Sequence, residues 1–251
     1  MKRNYGLIPR VVDRINDYQY SMLAYVPIPS RVDLSAGPWL PLPAYKQDIG
    51  ECLPSTLSKI VDFILKKQKK EWMNPSRRGL YYMMREEMGT VDYDSGCDMR
   101  TGGKVLIKRG VFPESMWDHD KNFTEKPSYE CYEKALEEQM LQYEFIDNDK
   151  ISLIKNVLAS GFPIACGIPV YESFESDEVT RTGRVPMPDY DEDLYGGHAI
   201  TLIGYNDNVR NGIVMFMNSW GADWGKNGVG SLPYKYIENL AFDLMVVRRM
   251  E

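Results

Sequence analysis

The chain has 251 residues, 43% of them hydrophobic, enough to bury one substantial core or two small ones sharing an interface, which excludes a disordered or fibrous protein. Its 36 acidic and 30 basic side chains leave a formal charge of -6, so a phosphate backbone is repelled on balance and nucleic acid is not an expected partner. No apolar stretch reaches the roughly 20 residues of a membrane span, and Met1-Lys2-Arg3-Asn4-Tyr5 leads into no signal-peptide core; a soluble, intracellular protein without a membrane partner is expected. The 4 cysteines, Cys52, Cys97, Cys131 and Cys166, form no CxxC pair, so neither a metal site nor a disulfide scaffold is expected, and a reducing compartment fits.

Residues 1 to about 45 are rich in proline and aromatics, without a helical or strand period, and read as an extended strap lying over something. From Cys52 the pattern changes. Leu53, Leu57, Ile60, Val61, Ile64 and Leu65 recur at three- and four-residue steps, one face of an amphipathic helix whose first turn holds Cys52 and the tolerated Pro54. The basic run Lys66-Lys67-Gln68-Lys69-Lys70 reads as the solvated end of that helix, where cations answer the dipole. Further helical patterns fall at Arg78 to Met88, Gly102 to Arg109, Pro127 to Tyr143 and Ile151 to Ala159. After Gly161 the texture is strand-like, at Phe162 to Val170, His198 to Tyr205, Ile213 to Asn218 and Ala241 to Val247. Between the first two strands Glu172 to Asp193 forms a long acidic loop. The chain therefore divides into an extended segment (1–31), a mostly helical part (32–150) and a β-rich part (151–251).

A cysteine at a helix N-terminus is favoured as thiolate by the unpaired N–H groups and the dipole there, although most cysteines in such chains are small buried hydrophobes. Of the 2 histidines, His198 opens an apolar strand behind Gly196-Gly197, a context that also fits a satisfied core histidine. His119 lies in a polar turn among carboxylates and reads as a surface residue without a catalytic role. Asn218 closes another strand with an amide able to hold an imidazole in one tautomer; strand-end asparagine is also ordinary turn chemistry.

The order of a cysteine on a helix start, a Gly-His-Ala strand and the segment from Asn218 to Gly228, with Trp220 and Trp224, resembles the papain-like cysteine peptidases. Tyr5-Gly6-Leu7-Ile8-Pro9 and Arg100 to Trp117 extend the likeness toward a bacterial and viral branch. The resemblance implies an α+β papain-like fold, a helical N-terminal subdomain packed on an antiparallel β-rich C-terminal one with the cleft between them. It also implies Cys52 as nucleophile, His198 as base, Asn218 as orienting group and Gln47 with the Cys52 N–H as oxyanion hole. Trp220 would cover the Asn218–His198 bond and, with Gly197, border the substrate. No cofactor or metal is implied, and the partner is a polypeptide substrate.

Gln47 lies one residue closer to Cys52 than in relatives, Lys46 filling the usual place; Glu51 and Leu53 replace the usual flanking residues. Ile49 stands where secreted relatives carry a cysteine that pairs with the equivalent of Cys97. Too few residues precede Cys52 for a long helical prodomain, so any restraint has to come from residues 1 to 31, part of which is expected to cross the cleft. The Glu172 to Asp193 loop, leading into His198, is expected to border the cleft and to bias it toward basic peptides. Thioester hydrolysis is the expected reaction. The alternatives are transfer of the same acyl group to an amine or alcohol, and an inactive relative with a peptide-binding or structural part, for example in a virion.

Overall fold

The computed structural model describes residues 3, 5–13, 17–20, 28–36, 43–68, 73–146 and 151–248; Val26, Pro27, Gly37 to Leu42, Lys69 and Lys70, parts of the strap and of the basic run, lie outside them. The N-terminal part contributes short strands, β1 (Leu7–Ile8) and β2 (Arg31–Asp33). The apolar stripe from Leu53 to Leu65 becomes α1 (Cys52–Lys67), buried along almost its whole length. The basic run is not simply solvated. Lys67 Nζ donates to the Gly161 carbonyl at 3.1 Å and sits 3.9 Å from the Phe162 ring centroid, because the following β-rich part passes beneath this helix end.

Two further helices follow, each opened by a side-chain cap. Ser76 accepts from Gly79 N–H at the start of α2 (Arg77–Met88), which ends at Gly89 with φ 70°. A short strand, β3 (Cys97–Asp98), runs into α3 (Met99–Lys108), where Asp98 accepts from Thr101 N–H. The helix expected from Pro127 to Tyr143 is shorter: α4 (Tyr129–Ala135) gives way to a 3-10 turn and then to β4 (Gln142–Ile146). The reason is tertiary. Tyr143, Glu144 and Phe145 find cross-strand partners in Val247, Val246 and Met245, and that pairing outweighs the local helical pattern.

The rest alternates strands with short helices: α5 (Ile151–Ala159), β5 (Ile164–Tyr171), α6 (Asp177–Thr182), β6 (Leu194–Asn206), β7 (Ile213–Met217), β8 (Val229–Pro233), α7 (Tyr234–Leu240) and β9 (Phe242–Arg248). The acidic segment from Glu172 to Asp193 is thus partly helical rather than a plain loop. Ser176 caps α6, Asp177 and Glu178 answer its dipole, and Gly183 at φ 67° ends it.

Among the described residues these strands form an antiparallel sheet of order β4-β9-β5-β6-β7-β8, with β2 also on β6. One apolar cluster gathers α1, α2, α3 and β3, and a second fills the space between the sheet and α5 and α7. α1 lies against β6 where the two clusters meet. The fold is α+β, helices first and an antiparallel sheet after. All four cysteines are free and buried, and no helix among the described residues is long and apolar enough to cross a membrane.

Candidate active site

Cys52 opens α1 and is 0% exposed. Burial pushes its thiol above the ordinary value, while backbone hydrogen bonds from Ala199, Gly6 and Leu53 pull toward the thiolate. Ala199 follows His198 in β6, so strand and helix start meet at the sulfur.

His198, paired across the sheet with Ile168, is fully buried, and its Nε2 lies 2.8 Å from Asn218 Oδ1. The same Oδ1 accepts from the Ser219 backbone N–H at 2.8 Å, which identifies it as the amide oxygen. Nε2 therefore donates, and Nδ1 carries the basic lone pair of the neutral ring. That Nδ1 is buried and makes no hydrogen bond. Burial depresses the imidazole to about 4, the Asn218 bond opposing this and the Lys59 and Arg3 charges adding to it. Burial thus disfavours the charged form of both Cys52 and His198 in the closed site.

Asn218 is held from three sides. Its N–H donates to the Gly228 carbonyl at 2.8 Å, its Oδ1 faces His198, and its carbonyl accepts from Lys59 Nζ at 2.9 Å. Lys59, two turns along α1 from Cys52, is a wholly buried ammonium lowered to about 7 by desolvation and by the Arg77 charge. The sequence reading passed over it, although a lysine inside the apolar face of α1 was the available signal. Trp220 is 8% exposed and its ring lies 5.0 Å from the His198 ring, centroid to centroid, so it excludes water from the Asn218–His198 bond. Phe174 and Trp224 pack behind it.

Gln47 sits on the loop before α1. Its backbone N–H donates to the Ser219 carbonyl at 2.9 Å, its Oε1 accepts from the Ser219 hydroxyl, and its Nε2 donates to the Ile49 carbonyl at 3.1 Å. Ser219 thus turns the amide NH2 toward the Ile49 carbonyl.

His119 is not a free surface residue. Its Nε2 contacts Glu51 Oε1 at 2.5 Å, and Arg78 joins the group through Asp48 at 2.8 Å and Glu51 at 3.6 Å. Glu51, immediately before Cys52, is wholly buried, so its charge requires partners, and the turn carrying His119 folds back to supply one. Asp48, Glu51 and His119 could surround a cation, but the Arg78 guanidinium already supplies positive charge there.

The cleft is filled by the chain's own N-terminal residues. Tyr5 packs edge-on against His198 and Trp220, with centroids 6.2 and 6.3 Å away. The Gly6 carbonyl accepts from Cys97 N–H at 2.8 Å, and β1 pairs with β3 in parallel. The path leaves no room for side chains. A Cβ on Gly6 would lie 1.9 Å from the Gly50 oxygen, and one on Gly96, at φ 70°, would lie 2.0 Å from the Gly6 oxygen. Leu7 then passes close over Gly167 and Gly197, where a Cβ would meet its side chain and its carbonyl.

A model of the papain family cysteine proteases matches residues 64–239, a range that begins beyond Cys52. An uncharacterized peptidase C1-like protein of Acanthamoeba polyphaga mimivirus is 39% identical over 213 residues, covering 80% of this chain and 68% of its own length. The crystal structure of xylellain, a cysteine protease from Xylella fastidiosa, superposes with a TM-score of 0.91 at 34% identity, covering 100% of this chain and 97% of that one. Digestive procathepsin L2 of Tenebrio molitor shares the fold at 15% identity, with a TM-score of 0.76, covering 98% of this chain and 78% of that one. With a family match over more than half its length and a likeness that runs from end to end, the chain belongs to the papain family of cysteine proteases.

Proposed function

We propose that the protein is a cysteine peptidase in which Cys52 is the nucleophile, His198 its base and acid, Asn218 the group that orients the imidazole, and Gln47 with the Cys52 N–H the oxyanion hole. The observation that carries this reading is the His198 tautomer: Nε2 is committed to Asn218, leaving Nδ1 as a buried base with no other partner. The Cys52 proton passes to Nδ1 as sulfur bonds to the peptide carbonyl carbon, and the carbonyl electrons move onto oxygen. Collapse of that oxyanion expels the amine, which takes the proton from His198. Water, deprotonated by His198, then attacks the thioester, releasing the acid and returning the thiol. Trp220 and Gly197 border the polypeptide.

Residues 1 to 31 act as a restraint on this site. Tyr5 and Gly6 stand where a substrate has to lie, and with them in place burial disfavours the charged forms of Cys52 and His198. Displacing them admits water and lets the thiolate–imidazolium pair form.

Hydrolysis of a fluorogenic peptide library under reducing conditions tests the assignment. Turnover is expected from the wild type and from neither Cys52→Ala nor His198→Ala. Folded protein with no turnover and a Cys52 inert to iodoacetamide would assign the chain a binding or structural role instead; products joined to an added amine would make it an acyltransferase.

A further inference from the structure

The rim of the cleft beside Trp220 holds a guanidinium. Arg3 places its Cζ 3.9 Å from the Trp220 ring centroid and its Nη1 3.5 Å from Glu175 Oε2. Glu175 belongs to the 3-10 turn between β5 and α6, and its other oxygen, Oε1, is buried without a hydrogen-bond partner. Glu172, Glu175, Asp193 and Glu192 all act on nearby Tyr195, so several carboxylates gather on this side of the cleft. Phe174, next to Glu175, packs edge-on against Trp220 at 5.3 Å, so carboxylate and ring are fixed relative to one another.

We propose that Trp220 and Glu175 form a recognition site for an arginine or lysine side chain of the polypeptide substrate, occupied in the resting protein by Arg3. The aromatic face attracts a cation through its quadrupole, and the carboxylate supplies the counter-charge and a spare acceptor for a second N–H. A guanidinium meets both demands with one planar group, an ammonium with one point charge, so arginine is preferred to lysine. Arg3 makes these contacts two residues before Tyr5 and three before Gly6, which covers Cys52. A substrate's basic side chain therefore competes with the restraint as it binds. The proposal rests on the peptidase reading for its consequence in turnover, but the site itself can be read without turnover.

Two measurements on the full chain decide it. In the first, internally quenched peptides differ only by arginine, lysine, glutamine or glutamate, placed in turn within four residues of the cut. Arginine at one position is expected to raise kcat/KM roughly tenfold over glutamine, the order of a partly desolvated charge-assisted contact, and Glu175→Gln to bring that ratio near one. A ratio unchanged by Glu175→Gln would overturn the proposal. In the second, acetyl-arginine amide is titrated into the Arg3→Ala chain while the Trp220 indole N–H resonance is followed. A saturable shift is expected, absent with acetyl-glutamine amide and absent in Arg3→Ala/Glu175→Gln; no arginine-dependent shift would sink the site. If no peptide is cleaved in a Cys52-dependent way, the peptidase reading fails on its own and the indole titration still decides this one.

Discussion

At the scale of single residues, two buried basic groups set the response to pH. Lys59 is lowered to about 7 from an ordinary 10.5, so between those values the unfolded chain holds a proton that the folded chain has released. At this residue the unfolded state binds more protons throughout that window, and the Lys59 contribution to stability therefore rises with pH across it, by at most about 1.4 kcal/mol per unit. Wild type minus Lys59→Met should show this slope in urea unfolding between pH 7 and 10.5; parallel curves would mean that Lys59 keeps its proton. His198, held near 4 against an ordinary 6.5, acts in the same direction at lower pH. Its contribution is intact above about 6.5 and is lost as pH falls toward 4, by something on the order of 3 kcal/mol. His198→Gln, which cannot take up the proton, is expected to flatten unfolding curves between pH 4 and 6.5. Each lysine or histidine was visible in the sequence, but its burial was not.

Among the elements, the N-terminal strap is the one that contradicts ordinary expectations of a terminus. Arg10 lies between Asp17 and Asp243, with its guanidinium 3.7 Å from the Phe145 ring centroid, and Arg100 contacts Asp17 at 2.6 Å. This nearly buried ionic group ties the strap to α3, β4 and β9 at once. The part over Cys52 is held instead by close backbone contact, which makes Gly6 its weak point. Gly6→Ala would drive a methyl into the Gly50 carbonyl, shift the equilibrium toward a displaced strap, and raise peptide turnover about tenfold by enlarging the competent fraction. Equal or lower turnover by a folded Gly6→Ala protein would argue that this segment helps to build the site. Proline content marked the segment as extended, while its destination depended on glycines 6, 50 and 96 coming together from distant points of the chain.

For the molecule as a whole, the helical and β-rich parts are joined at the site by α1 against β6 and by the buried bond from Lys59 to the Asn218 carbonyl. Within the helical part, the Glu51 carboxylate joins the loop before Cys52 to Arg78 of α2 and to His119. Glu51→Ala would leave the Arg78 guanidinium, 4% exposed in its side chain, with Asp48 as its carboxylate partner, and is expected to cost about 1 to 2 kcal/mol. Thermal unfolding should show most of that recovered in Glu51→Ala/Arg78→Met; strictly additive losses would deny the coupling.

Local pattern alone determined α1, α5 and the strands β5, β6, β7 and β9, because their apolar periods coincide with what the core requires. The segment from Asn218 to Gly228 determined the family resemblance, and with it the order of Cys52, His198 and Asn218. Tertiary structure decided the remainder. It converted Gln142 to Ile146 from helical pattern to strand, since a partner strand offered better burial. It buried Lys59 behind Asn218, drew His119 onto Glu51 and laid Arg3 on Trp220. These are contacts between residues far apart in the chain, whose energies depend on desolvation and on approach distance, and neither quantity exists until the chain has folded.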